Sequence, residues 1–591
     1  MDGMYNDLNH KKMIAFKSRY TVVAAALMLL GLGSCKDFLE TVPDTRVEIK
    51  TVEQMRELLV DGYMPYSYAL VGELSSDNVI DNNSTEVGFI RYNRSTYSAT
   101  DEEVYRWQDV KLGDGSDTPS GVWEGCYRAI AVANAVLERV EEMEGNGEYD
   151  ALVSTDKETF AAVKGEALMI RAFHHFILAQ VFCMPYRGEN LSSADQGIPY
   201  MTHPETTVKP HYERGTVTEV YQNIEKDMLA GLPLINDGIY EVPKYHFNRA
   251  AANAFAARFY LILRDYPKVI EYADAAFNGT DPATMVSTLW GNSSSLYYIS
   301  DLGRYYTSMA RSNVFMTISS YSTWWRRFVS SGRYACNRKA KRATIEGPGV
   351  TWENCRWRRT STNETFSMHP CFNGVCGTAG GQDYGTYFAG NCSEQFEYTD
   401  KIQGIGYCHM VRAEFTTEQL LLDRAEAKAF MGDLEGCVAD LKIWDDARKD
   451  GVSSTSSMIA MNGTNIEKFY ASDKDGFGIV KEIHIDEVFP GCPYPLTDAN
   501  KAYVQACQHL RRVEQVHTGQ RWFEIKRFGL KIGHAYGRNV GDTDTLQTLD
   551  PRYAIQIPYE VIAAGLEQTR RLNTKNDNPQ VVKGDLEVIT D

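Results

Sequence analysis

The chain has no excess of positive charge. Its 61 Lys and Arg face 78 Asp and Glu, for a net charge of −17 and a pI near 5.3. That balance argues against nucleic acid as a partner, because phosphate recognition needs a basic surface. Long apolar runs are also missing. The longest, Thr21 to Leu32, has 12 residues, and spanning a bilayer takes about 20. There is no G-x-S-x-G elbow, HExxH, P-loop or glycine-rich dinucleotide fingerprint. Glycoside hydrolysis needs only two carboxylates across a cleft, but among 78 acids some pair always qualifies. The spacing of His369-Pro-Cys371-x4-Cys376 is loose for zinc, and oxidation competes for those thiols. No enzyme activity, cofactor or metal is expected.

The apolar run is preceded by Lys11, Lys12, Lys17 and Arg19 and closed by Leu32-Gly33-Ser34-Cys35. A basic start, a short apolar core and small residues before a break mark a secretory signal. The last four resemble a bacterial lipobox, whose cysteine is acylated as the bond before it is cut. On that reading residues 1–34 are a lipoprotein signal peptide and Cys35 is the lipidation site; more than one acyl chain anchors a protein stably. An ordinary cleaved signal with an incidental cysteine is the alternative, and Met13 could serve as the start in place of Met1.

Helical periods dominate two regions, 35–285 and 411–591. In GVWEGCYRAIAVANAVLERV, Trp123, Tyr127, Ile130, Asn134 and Leu137 share one helix face, and KGEALMIRAFHHFILAQVF stripes Ala167, Ile170, His174, Ile177 and Val181. Thr216-Val-Thr-Glu219 reads as a capping box. Arg249 to Phe277 reads as a tetratricopeptide-type helix pair turning at Arg264-Asp265-Tyr266-Pro267, with a second copy turning at Gly432-Asp433. Between the helical regions, 286–410 is a loop-rich, Cys- and Trp-rich insertion with short strands expected. Cys336, Cys355, Cys371, Cys376, Cys392 and Cys408 cluster there, which favours disulfides in an exported chain. Cys126, Cys183 and Cys437 sit in helical patterns and read as core.

Several segments then fall in a familiar order: CKDFLETVP after the lipobox, the helix from Trp123 to Asn134, Gly165-Glu166-Ala167 with Arg171-Ala172, and the repeat at Arg249 to Phe277. After these come LLLDRAEA at Leu420 to Ala427, GQRWFEIKRFG at Gly519 to Gly529, and IQIPYEVI at Ile555 to Ile562. Together they resemble the RagB/SusD family of outer-membrane, glycan-binding lipoproteins. The resemblance implies a mainly α fold, with about four tetratricopeptide-like helix pairs packed against an irregular loop-rich region. It also implies a lipid-anchored, surface-exposed protein that passes oligosaccharides to a SusC-type TonB-dependent transporter. A lid or scaffold binding peptide or another nutrient, or a glycoside hydrolase, are the competing readings. Lys36-Asp37 is only part of the family's usual export signal, and the C-terminus departs from the family's common ending.

The family shares no fixed binding motif, so ligand contacts are read from composition and placement. Sugar rings stack on aromatic faces. Trp290, Trp324, Trp325, Trp352 and Trp357 all lie in the insertion, joined by Tyr297, Tyr298, Tyr305, Tyr306, Tyr321 and Tyr334. Arg326 and Arg327 open a stretch to Arg359 with ten basic residues against Glu346 and Glu353, which suits an acidic glycan. Docking on an acidic transporter surface or on anionic lipid would use the same charge. A second patch joins Tyr92 to Tyr105-Arg106-Trp107. In GQRWFEIKRFG, Trp522, Ile525 and Phe528 form the packed face of a helix, and its cations are expected to pair with carboxylates.

Overall fold

The apolar stripe from residue 121 to 140 becomes the middle of a 27-residue helix, α1 (Pro119–Gly145), in the computed structural model of the protein. The structure describes residues 49–84, 97–110, 113, 115–205, 211–287, 299–323, 332–344, 348–351, 391–449, 459–472, 478–537, 539 and 541–571, with short strands between 371 and 389. Residues 52–591 form one unit. Thr118 starts α1 by accepting the Gly121 N–H at 3.2 Å, with Pro119 in the first turn, where no N–H is needed.

α2 (Ser154–Phe182) is buried on nearly every side from Phe160 onward. A helix without a polar face belongs in the middle of a structure, and α2 is flanked by α1 and by α3 (Val217–Gly231). The capping box forms as read, with Thr216 and Glu219 each bonded to the other's backbone N–H. Next come α4 (Arg249–Leu263) and α5 (Tyr266–Phe277), whose turn places Arg264 at φ 57° and caps α5 with Asp265.

A three-stranded antiparallel sheet follows, from β1 (Val314–Ser320), β2 (Cys392–Asp400) and β3 (Ile405–Thr416), with β3 in the centre. β3 runs straight into α6 (Thr417–Phe430), capped by Thr416, and α7 (Leu434–Lys449) folds back on it. α5 packs on α6, so the two helix pairs stack; neither pair could bury its face alone. The fold is mainly α. The IQIP stretch, where the alternation of Ile555 and Ile557 suggests a short strand, is extended outside any ladder: Ile555 donates its N–H to Val181 O at 3.1 Å, and Pro558 caps the short helix Tyr559–Ala563. Among the expected disulfide partners, Cys392 is a buried free thiol. Cys355, Cys376 and the Cys371 side chain lie outside the described residues.

The C-terminal helices α8 (Lys501–Glu514) and α9 (Arg521–Phe528) carry buried charge. Arg511 donates to Asp423 (3.1 Å), Glu426 (2.5 Å) and Glu524 (2.9 Å), and Arg527 grips Glu426 (2.5 and 2.9 Å) and Glu524 (2.8 Å). Burial alone would raise the Glu426 carboxyl, but Arg527 and Arg511 bring it down to about 2. Asp423 is pushed up to about 6 by burial, which Arg511 only partly offsets. Asp77, from the N-terminal segment, receives Arg521 at 2.9 Å and lies near Arg512 and Lys481. Trp522, Ile525 and Phe528 are fully buried, as their spacing predicts, and the cations of the motif are buried with them. Gly72 and Gly519 touch backbone to backbone: a Cβ on Gly72 would lie 2.2 Å from Gly519 O, and Gly519 itself has φ +79°.

Two predictions follow from this buried polarity. Replacing Arg511 with Met strands Asp423 and leaves Glu426 and Glu524 to Arg527 alone, and urea unfolding should show a loss of about 3–5 kcal/mol. His174 and His175 on α2 each donate Nδ1–H to the carbonyl four residues back, at 2.7 and 2.8 Å, and accept a backbone N–H at Nε2, from Met64 and Met201. Burial lowers them to about 4 and about 3. With folded values below the unfolded value near 6.5, their contribution is complete above pH 6.5 and is lost as pH falls toward 4. Urea titrations between pH 4.5 and 7.5 should show His175→Gln flattening that slope by about one proton, roughly 1.4 kcal/mol per pH unit, relative to the parent chain.

Candidate functional site

β1 stops at Ser320, opposite Met410, while β2 and β3 continue without it. Residues 395–400 and 405–409 therefore pair only with each other and project as a two-stranded ribbon. Its tip turns through Gly404 at φ +69°, with Asp400 accepting the N–H groups of Ile402 (2.8 Å) and Gln403 (3.0 Å). Its root is held by Glu414 of β3. That carboxylate, itself out of water, takes the buried Arg412 at 2.9 and 3.0 Å, the partly buried Arg258 of α4 at 2.8 Å and the buried Tyr68 hydroxyl at 3.0 Å.

The ribbon presents aromatic rings to solvent. Alternation along a strand sends neighbours to opposite faces, so Tyr407 and His409 share one face with Glu397 and Gln395, their cross-strand partners. Tyr321, just past the end of β1, joins that face, its N–H fixed on Pro65 O at 2.7 Å. Its ring lies 4.3 Å from His409 and 6.0 Å, edge-on, from Tyr407. His409 is the hub, with Nε2 against Glu397 at 2.7 Å and Nδ1 near Ser319 Oγ at 3.4 Å. On the reverse face Phe396 and Tyr398 meet at 4.8 Å and 70°. There Gly406 makes room: a Cβ on it would sit 2.8 Å from the Phe396 ring. Tyr321 (45%), Tyr407 (59%), Phe396 (44%) and Tyr398 (52%) are all exposed. A scattered exposed aromatic needs no explanation, but a contiguous group marks an interaction site. Flat rings held on strands, with hydroxyls and a carboxylate beside them, suit a ligand offering both C–H faces and hydroxyl groups.

Of the residues read as ligand contacts, Trp290, Trp324, Trp325, Trp352, Trp357, Tyr297, Tyr298, Arg326, Arg327 and Tyr92 lie outside the described residues, as does Cys35. Trp107 is described, and the structure corrects the reading of it. The left-handed turn at Trp107 (φ 53°) folds the indole inward, where its N–H donates to Ser75 O at 3.0 Å and its ring stacks on His534 at 4.1 Å. At 2% exposure no ligand reaches it. Beside it Tyr105 is buried against the other face of His534, and Arg106 pairs with Asp544. Within the basic stretch, Arg333 is taken up by Asp81 and Glu102. Tyr306 and Tyr334 are buried, whereas Tyr321 is exposed beside the ribbon, against His409. Phe396, Tyr398, Tyr407 and His409 were missed, although the alternation Phe396-x-Tyr398 and Tyr407-x-His409 around an Asp-Lys-Ile-Gln-Gly turn is visible in the sequence.

A small cleft of about 30 Å³, partly open to solvent, lies at the root of the sheet and is lined by Arg412, Gln419, Glu514 and Gln520 among others. Its charges are already engaged, Arg412 by Glu414 and Glu514 by Arg448 and Trp444. Among the described residues no group of His, Cys, Asp and Glu could hold a metal ion, and no helix is long and apolar enough to cross a membrane.

Residues 37–261 match a SusD-like family model described as starch-binding and associating with the outer membrane. No curated protein matches the chain. Among solved structures, a SusD superfamily protein from Bacteroides vulgatus is similar at 16% identity, covering 88% of this chain and 99% of its own, with a TM-score of 0.56. A putative sugar binding protein from the same species is similar at 16% identity over 89% of this chain and 99% of its own, with a TM-score of 0.57. A SusD superfamily protein from Bacteroides thetaiotaomicron is similar at 15% identity over 88% of this chain and 100% of its own, with a TM-score of 0.54.

Proposed function

Since the chain is a RagB/SusD-family protein, by its matched N-terminal segment and by its fold, we propose that it binds oligosaccharides or polysaccharide at the cell surface and does not cleave them. The observation that carries this reading is the exposed ribbon bearing Tyr407, Phe396 and Tyr398, with Tyr321 exposed beside it. Its aromatic faces offer sugar C–H groups a stacking surface, and Glu397, Gln395 and the tyrosine hydroxyls stand ready for hydroxyl groups. The insertion at 286–410 supplies the rest of the ligand surface in this proposal, with Trp290, Trp324, Trp325, Trp352, Trp357, Tyr297, Tyr298, Arg326 and Arg327 as further contacts, and Tyr92 from the second patch is a contact outside it. The arginines would favour an acidic glycan.

Lipid on Cys35 would hold the protein on the outer membrane, where it hands its ligand to a SusC-type TonB-dependent transporter. The short apolar run at Thr21 to Leu32 and the Leu-Gly-Ser-Cys sequence support that anchor. A transporter partner fits a binding protein that lacks catalytic signatures of its own.

In native gels cast with polysaccharide, the parent chain should be retarded by its ligand and release no reducing ends. Tyr321→Ala combined with Tyr407→Ala should weaken binding about tenfold or more with the melting temperature unchanged, since both rings are exposed. Equal retardation of parent and variant by every glycan would overturn the placement of the site, and reducing ends would point to a hydrolase. Labelled palmitate should mark the parent chain and not Cys35→Ala; an unlabelled parent would refute the anchor.

A further inference from the structure

The sequence concentrates cysteines between 336 and 408, but the structure brings together two others that are 70 residues apart. Cys437 on α7 and Cys507 on α8 face each other with their sulfurs 3.9 Å apart, both fully buried. Seven residues further along each helix, Trp444 donates its indole N–H to Glu514 at 3.0 Å, and Arg448 pairs with the same carboxylate. Seven residues is two helical turns, so both contacts fall on one stripe of each helix. α7 and α8 therefore run side by side in the same direction, in a register fixed at one end by the two sulfurs and at the other by Glu514.

We propose that Cys437 and Cys507 form a disulfide that fastens α7 to α8. A disulfide needs its sulfurs about 2.05 Å apart. In the structure both are free thiols, about 2 Å beyond that length, and in this proposal rotation about the two Cα–Cβ bonds closes the gap, with the helices already in register. In the reaction one thiol, as thiolate, attacks a disulfide oxidant and expels one of its sulfurs as thiolate, and the second cysteine thiolate then attacks the mixed disulfide at the first cysteine's sulfur and expels the oxidant's other thiolate. Each cysteine gives up one proton, the new S–S bond forms, and the two electrons reduce the oxidant's own S–S bond to two thiols. Because both sulfurs are sealed from solvent, the exchange takes place while the chain folds, before α7 settles on α8. The bond then becomes inaccessible to reductant. Its formation in the cell rests on the export reading above, since exported proteins meet such oxidants.

The pairing is testable apart from export. The full chain is unfolded in reductant, refolded in a mixture of oxidised and reduced glutathione, denatured with iodoacetamide and mapped by peptide mass spectrometry. The expected product is a peptide joined through Cys437 and Cys507, two hydrogens lighter than the separate thiols. Adding dithiothreitol to the unfolded chain before melting should lower its melting temperature by roughly 2–5 °C, with no such shift in Cys437→Ala combined with Cys507→Ala. Carbamidomethyl on both cysteines of the refolded chain, or either one joined to a different cysteine, would overturn the proposal. Failure of the export reading would show separately, as a parent chain that takes up no palmitate.

Discussion

Charge held out of water organises this molecule. Arg511 and Arg527 share Glu426 and Glu524, and Arg521 and Arg512 close on Asp77. Arg412 and Arg258 converge on Glu414. A buried ion is costly unless it is paired and fully hydrogen-bonded, so each cluster admits only the arrangement in which every partner arrives. The partners come from distant parts of the chain. Asp77 precedes α1, Asp423 and Glu426 lie on α6, and the guanidiniums lie on α8 and α9. The clusters are thus conditions on the tertiary fold, and hydrophobic packing alone would leave these positions free to slide.

The Glu414 cluster links the fold to the site. β3 carries Glu414 at its buried end and Tyr407 and His409 at its exposed end. With Arg258 reaching from α4 and Tyr68 from the N-terminal segment, the strand cannot tilt without breaking both charge-assisted contacts. The aromatic ribbon stands on that root, so its rings are positioned by the helical scaffold and not by loop packing. Binding groups on rigid elements keep their geometry better than those on loops.

Much of the scaffold was legible in the sequence. The four-three spacing from Trp123 to Leu137 gave α1, Thr216 and Glu219 gave the start of α3, and Pro267 and Gly432 marked the turns of both helix pairs. These signals are local, and the 3.6-residue period is strong over many turns. The buried state of Arg521, Lys526 and Arg527 was less visible, because their partners lie about a hundred to several hundred residues away. Trp107 was misread because a loop position suggests surface, while one left-handed residue suffices to turn an indole inward. The ribbon was overlooked for the opposite reason. Tryptophan density drew attention to other parts of the insertion, while rings at every second position on two facing strands left a weaker trace.

The backbone contact between Gly72 and Gly519 spans 447 positions of sequence, and neither residue can acquire a side chain without displacing the other segment. The helix Ala69–Leu74 therefore has no seat until α9 and the turn before it exist. Contacts so far apart form slowly and late. A chain emerging from its amino end must keep that helix waiting until the segment around Gly519 has been synthesised. In the exported protein proposed above, that delay would keep the polypeptide loose enough to thread through a membrane before it locks.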